Sequence, residues 1–334
     1  MQMIDRSPYI VINKNNDPYF NLALEEYLLK ELSGNYFMLW RNEPCVVVGR
    51  NQNTVTEIDS EYVKKHKLKV VRRLSGGGAV FHDLGNLNFT FITNNAQNSF
   101  HDFYKFTVPI IEVLDKLGIK SELSGRNDLV ITGTEQKFSG NAQYRYEDKL
   151  LHHGTILFNA SVDSMVTALK VNALKLGSKG IQSVSSRVTN IQSHLNGPLS
   201  IEAFEAMIHD HIMLKQRHSF YNLTTVDIEK VRHLVNKKYS TWEWNYGNSP
   251  DYNLQNEGRF IGGSVGVYLK VEGGVIKNVR ITGDFFGKCD IGVIEQALMG
   301  TRHIKTEVMA VISRFILQDY MANISCTDLA QLMF

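Results

Sequence analysis

The sequence predicts an α+β protein with a larger N-terminal part and a smaller C-terminal one. Its strand-like runs come in clusters, and the helical runs do not alternate strictly with them, which disfavours a doubly wound sheet. A composition shift follows Tyr246-Gly247-Asn248-Ser249-Pro250, so the expected division is 1–247 and 248–334. At 334 residues the chain exceeds the usual single-domain size, and 43% hydrophobic and 10% aromatic residues suffice for two cores.

The elements follow in order. Asp17-Pro18 before Phe20, Leu24, Tyr27 and Leu28 gives the cap, first-turn proline and spacing of an amphipathic helix. Phe37–Trp40 and Cys45–Val48 read as short strands split by Asn42-Glu43-Pro44. Leu68, Val70 and Val71 lead into a glycine-rich segment, and Asn88–Ile92 alternates like the strand that leaves it. Phe103, Phe106, Ile110, Ile111, Leu114 and Leu117 keep helical spacing, with Gly118 at the stop. Asp128–Ile131 and Thr155–Phe158 suggest another strand pair, and Ser200 caps a helix carrying Ile201, Phe204, Ile208 and Ile212. In the C-terminal part, Val265–Val271 and Val275–Ile281 form a hairpin about Glu272-Gly273-Gly274, and helices are expected near 294–298 and 304–316.

The most informative segment runs from Arg72-Arg73 through Leu74-Ser75-Gly76-Gly77-Gly78 to Ala79-Val80-Phe81-His82. Three consecutive glycines let the backbone bend sharply and bring a ligand against main-chain N–H groups. Paired arginines offer fixed forks for phosphate or carboxylate oxygens. The segment therefore reads as a cradle for an anionic ligand, the alternative being a surface hairpin with two solvated arginines. A P-loop would need Lys-Ser or Lys-Thr after the glycines and then a helix; a dinucleotide loop would also open a helix. Here a strand-like run follows instead, so neither fits.

Further clusters stand at strand ends. Ser124-Gly125-Arg126-Asn127-Asp128 precedes one strand, Lys137-Phe138-Ser139-Gly140-Asn141-Ala142 follows it, and His152-His153-Gly154-Thr155 opens the next. Lys137 could set a cation beside backbone donors, as a developing phosphorane requires, although most lone lysines are solvated. Asp128 reads either as a partner for Mg²⁺ held mainly by phosphates or as a turn cap. His82 and His153 lack metal-ligand spacing, and His152 and His153 should face opposite ways on a strand.

Composition excludes other classes. A net charge of +2 gives no bulk attraction to nucleic acid or membrane. Cys45, Cys289 and Cys326 are scattered without C-x-x-C spacing, against a disulfide framework and towards a reducing compartment. No apolar run approaches the roughly 20 residues of a membrane span. The start of the chain, with Asp5, Arg6 and Pro8, lacks an apolar signal region. A cytoplasmic protein is expected.

Taken together, the cradle with His82-Asp83 and Gly85-Asn86, Ser124 to Leu129, Lys137-x-Ser139-Gly140, and His152 to Thr155 resemble the lipoate–protein ligases of the biotin/lipoate ligase superfamily. So do Lys179-Gly180-Ile181, Arg187-Val188-Thr189-Asn190, and Trp242-x-Trp244-Asn245-Tyr246-Gly247 at the family's domain junction. The likeness covers nearly the whole chain in order. It implies a mixed-sheet catalytic domain plus a small α+β accessory domain. It also implies lipoate activation by ATP to lipoyl-adenylate, then transfer to a carrier lysine of a 2-oxoacid dehydrogenase E2 subunit or the glycine-cleavage H protein. By that resemblance Arg73, Gly78, Ala79, Val80, Phe81 and Lys137 contact ATP, with Asn127 and Asp128 on the adenylate side. Arg72, Ser75, Gly76, Gly77, His82 and His153 would line the lipoyl end, Lys137 would reach the lipoyl carboxyl, and Mg²⁺ would accompany the nucleotide. The stretch from Ala173 to Ser186 resembles the family's adenylate-covering loop. Two competitors are an acyltransferase using a cysteine thioester, for which Cys45 is the sole thiol in the larger part, and a non-catalytic lipoate binder.

Overall fold

The computed structural model describes residues 8–94, 99–169, 187–215, 218–247 and 252–334. The Asp17 carboxylate caps helix α1 (Pro18–Lys30) by accepting from Tyr19 N at 2.9 Å. This helix, whose middle is buried all round, lies on one face of an eight-stranded sheet beside Trp40, Ile92 and Leu151. In sequence order its strands are β1 (Tyr9–Ile12), β2 (Tyr36–Arg41), β6 (Asn86–Asn94), β7 (Ser121–Ser124), β8 (Asp128–Ile131), β9 (Lys137–Tyr146), β10 (Lys149–Leu157) and β11 (Ser219–Asn222). They lie in the order β11-β1-β2-β6-β10-β9-β8-β7. The pairs β11–β1 and β1–β2 are parallel and the rest antiparallel, so the sheet is mixed. Helix Phe103–Lys116 and helix Ile201–Lys215 cover the opposite face through Ile110, Leu114, Phe204 and Ile208.

A second sheet carries the cradle. Strands β3 (Cys45–Val48), β4 (Lys69–Arg72) and β5 (Val80–His82) lie in the order β4-β3-β5, so the glycine segment must cross over β3 to join the outer two. Beyond the larger part, β12 (Leu254–Phe260), β13 (Gly263–Glu272) and β14 (Val275–Gly283) form an antiparallel meander. Short helices back it to form a core of its own running from Val265 to Met333. Each fully buried Ile, Leu or Phe there contributes roughly 1.5–3 kcal/mol.

The α+β expectation holds, as do the hairpin and most of the periodic helices. The short polar strands β7 and β11 were not anticipated: their side chains are largely exposed, so they carry no apolar alternation to read. The expected helix at 304–316 ends at Ile312, and helices Leu317–Tyr320 and Cys326–Gln331 follow separately. Among the described residues no helix is long and apolar enough to cross a membrane. The segment expected to cover an adenylate falls outside the described residues through Ser186.

Candidate active site

The glycine loop is shaped by its own arginine. Arg73 Nε donates to Ser75 Oγ at 3.1 Å, Nη1 to Val47 O, and Nη2 to Gly76 O at 2.7 Å and Gly78 O at 2.8 Å. One guanidinium thus pins the loop at both ends, a fixed-fork task that a lysine could not perform. Gly77 sits at φ +91°, a left-handed conformation that a side chain would disfavour. Burial lowers the Arg73 pKa to about 10 against a nearby Glu25 carboxylate that raises it, so the group stays cationic at neutral pH.

Behind the loop lies a cavity of about 140 Å³ between the two sheets. Leu22, Trp40, Val47, Val80 and Ala142 give it apolar walls, while Arg73, Asn127, Lys137 and the Gly77–Gly78 backbone line its polar part. His153 also faces it and is held from both sides. Its Nε2 lies 2.6 Å from Ser75 Oγ, and its Nδ1 is 3.0 Å from both oxygens of Glu25. Glu25 further accepts from Thr90 Oγ1, which accepts from Trp40 Nε1 at 2.8 Å. A carboxylate on α1 therefore sets the orientation of two cavity walls, Trp40 and His153.

His82 presents a donor. Asn21 Nδ2 donates to Asn42 Oδ1, which leaves Asn42 Nδ2 as the donor to His82 Nδ1 at 3.0 Å. The ring proton then resides on Nε2, a buried atom with no protein partner among the described residues, on a residue that lines the cavity. Burial, with the charges of Arg73 and His153 secondary, lowers the His82 pKa to about 3, so the ring stays neutral. His152 points the other way, onto Gln143 and the Phe106 ring, as the strand alternation requires.

Lys137 opens β9 at the cavity's outer end. Its Nζ pairs with Asp128 Oδ1 at 2.8 Å, so the two clusters flanking β8 meet in space. Its backbone is clamped by Arg187 O, which accepts from Lys137 N at 2.7 Å, and by Thr189 N, which donates to Lys137 O at 2.9 Å. Lys137 also lines a second, open cleft of about 420 Å³ with Arg126, Asp128 and Arg187. Among the described residues no group of three or more His, Cys, Asp or Glu side chains could hold a metal.

Several expected ligand contacts are placed differently. Arg72 was expected beside the lipoyl end, but its guanidinium is fully buried and turned away from the cavity. It donates to the carbonyls of Gly49, Arg50, Gln52, Trp244 and Asn245 and to Thr54 Oγ1. Arg72 thus ties the small sheet to the Trp242–Asn245 turn. Consecutive residues leaving a strand face opposite sides, so two adjacent arginines could not both enter one pocket. Phe81 turns its ring into the core with Val46 and Val48. Ser75 is fully buried and reaches the cavity through His153, and Gly76 packs against Phe285 O of the C-terminal part.

Cys45 is fully buried in the small sheet, where burial pushes its thiol far above the ordinary range. A thiolate nucleophile is not available from it. Sequence reading missed Glu25, Trp40 and Asn88. The one legible signal was Glu25-Glu26 inside an otherwise apolar helix, where two acids demand buried partners.

Residues 17–213 match the family described as lipoyl protein ligase A/B catalytic domain, and residues 249–333 match the bacterial lipoate protein ligase C-terminus. The chain is 44% identical over 327 residues to lipoate–protein ligase 1 of Staphylococcus aureus strain Mu50, covering 97% of this chain and 99% of that one. It is 43% identical over 328 residues to lipoate-protein ligase LplJ of Bacillus subtilis strain 168, covering 96% and 98%. Among solved structures, LipL1 of P. falciparum in complex with lipoate superposes with a TM-score of 0.76 at 25% identity, covering 92% of this chain and 94% of that chain. A bi-partite lipoate protein ligase of Thermoplasma acidophilum, described with its E2 lipoyl domain, gives a TM-score of 0.65 at 25% identity and covers 74% of this chain and 99% of that chain. With both family matches in chain order around a cavity built from the glycine loop and Lys137, this chain belongs to the lipoate–protein ligase family.

Proposed function

We propose that the protein activates lipoate with ATP and transfers the lipoyl group to a lysine of a carrier domain. The supporting observation is the cavity itself: an apolar slot walled by Leu22, Trp40 and Val80 that ends at Lys137 and Arg73. An aliphatic carboxylic acid would lie along the slot with its carboxylate at the cationic end. Joining that carboxylate to an α-phosphate brings two anions together, so the step needs fixed positive charge and oriented N–H groups. In this reading Lys137 and Arg73 supply the charge, and the backbone of Gly78, Ala79 and Val80 supplies donors for the adenylate. Asn127, held by Asn141, flanks the same end.

The carboxylate oxygen attacks the α-phosphorus, the α–β bridging P–O bond breaks, and its electron pair leaves with pyrophosphate. The neutral ε-amine of a carrier lysine then attacks the acyl carbon, the acyl C–O bond to the phosphate breaks with its electron pair on AMP, and the new amide nitrogen gives a proton to solvent. Asp128, whose Oδ1 is engaged by Lys137, is a single carboxylate at this end, and one such residue would suit Mg²⁺ carried mainly by the phosphates. When bound there, Mg²⁺ would offset charge on the leaving diphosphate. Residues 248–334, with their own core, would act as an accessory domain. The carriers expected are E2 lipoyl domains or the H protein, in the cytoplasm.

The test is mass spectrometry of each carrier after incubation with ATP and lipoate. One lipoyl group added in an ATP-dependent manner is expected; no adduct on either carrier would refute the reading. The thioester alternative has no support at Cys45, and transfer should survive Cys45→Ala.

A further inference from the structure

The inner slot runs across the large sheet. Trp40 on β2 stands opposite Asn88 on β6, and Asn88 stands opposite Thr155 on β10. Thr155 Oγ1 in turn accepts from Gly140 N on β9 at 3.2 Å. All four residues line the cavity, one on each of four neighbouring strands. Three strand spacings put the two ends about 14 Å apart. Lys137 marks the β9 end, where a Cβ on Gly140 would stand 3.0 Å from its Nζ. His82 marks the β2 end: its ring lies edge-on to Trp40 at 6.2 Å between centroids, and its Nδ1 accepts from Asn42 just beyond that strand. We infer that His82 Nε2–H donates to a ring sulfur of lipoate and so selects the dithiolane over a plain hydrocarbon end. The inference rests on the adenylation reading above and deepens it.

That donor needs an acceptor. With Nδ1 committed to Asn42, the ring carries its proton on Nε2, and no protein atom among the described residues accepts it. His82 is only 3% exposed, so bulk water does not meet the N–H. A buried donor left unpaired is costly, whereas one that a ligand satisfies contributes to binding. Lipoate has polar atoms at its two ends alone. Its carboxylate belongs at Lys137 and Arg73, which leaves the sulfurs for the β2 end. The other polar side chains there are already engaged. His153 has both nitrogens held by Ser75 and Glu25, and the Asn88 amide accepts from Asn86 and donates to Trp40 O. Divalent sulfur is a weak acceptor that also packs well against aromatic edges, which Trp40 and His82 supply. The apolar walls, Leu22 and Val47 among them, offer dispersion, which separates a sulfur from a methylene poorly. The distinction therefore falls to His82.

The experiment compares lipoate with cyclopentyl-pentanoate, the same chain and ring with carbon in place of both sulfurs. ATP-dependent adenylate formation is followed with the full-length protein, and kcat/KM is read for each acid. The unaltered protein should prefer lipoate by about 10-fold, as for a buried donor that the carbon ring leaves unpaired. His82→Asn keeps an acceptor for Asn42 and lacks the Nε2 donor, so the ratio of the two kcat/KM values should fall towards one. Should that variant fail to fold, His82→Phe takes its place. Equal use of the two acids by the unaltered protein overturns the assignment. So does a ratio that persists in the folded variant, including one where both acids lose activity alike, since His82 would then be structural only. Absence of any adenylate from lipoate in the unaltered protein would instead sink the adenylation reading itself.

Discussion

Arg72 and Arg73 are adjacent and chemically identical, yet one holds the fold and the other lines the cavity. Burial lowers the Arg72 pKa to about 9, but its carbonyl partners keep it useful as a structural cation. Arg72→Ala would strand those acceptors, at a cost of about 3 kcal/mol or more. A fall in the urea midpoint is expected, and an unchanged midpoint with a raised lipoate KM would return Arg72 to the ligand. Lys137→Ala should slow adenylation at least roughly 10²-fold, as for loss of one oriented transition-state group; near-normal single-turnover formation of lipoyl-adenylate would count against its role. The histidines bear on pH. His82 and His152 are neutral in the fold because burial lowers both, whereas the unfolded rings take protons near their ordinary value of 6.5. Between that value and about 4.5 these two rings bind more protons in the unfolded state, so their contribution to stability falls as the pH falls. The paired carboxylates, Glu26 and Asp227 among them, act only lower, where their depressed values lie. His152→Gln should reduce the slope by about 1.4 kcal/mol per pH unit, readable from urea midpoints at pH 6 and 5; an unchanged slope would exclude that proton.

At the scale of elements, the site depends on α1 and the glycine loop. Helix α1 brings Glu25 beneath the sheet, where Thr90, His153 and Trp40 organise around it. Glu25→Gln keeps the volume but removes the charge facing His153, so the lipoate KM should rise more than the ATP KM. Equal changes would mean that the helix acts on both substrates alike. The loop itself is backed by the C-terminal part: a Cβ at Gly76 would stand 2.5 Å from Phe285 O. Gly76→Ala must therefore shift either the loop or Phe285, and loss of adenylation with little change in the melting temperature is the expected result. The periodic helices and the strands with apolar alternation were legible because burial on one face leaves a repeat in the sequence. Strands β7 and β11 left none.

Across the whole molecule, two cores meet at the glycine loop. Arg50 pairs with Asp290 at 2.6 Å, Gly283 N donates to Asn51 O at 2.9 Å, and Arg126 reaches Gly262 O. Both sides of this interface touch residues next to the cradle, which supports the proposed accessory role of the C-terminal part. Truncation after residue 247 would expose the loop's outer face. Slower lipoate-dependent pyrophosphate exchange is expected from that fragment if circular dichroism shows it folded, and an unaltered rate would remove the accessory role.

By itself the sequence determined the family and the α+β class, because contiguous motifs need specific residues at short spacing. Tertiary structure alone decided which of Arg72 and Arg73 enters the cavity, that His153 is held by Glu25 across 128 positions, and that Asp128 meets Lys137. Those outcomes depend on strand facing and on contacts between distant segments, and neither leaves a local periodic trace.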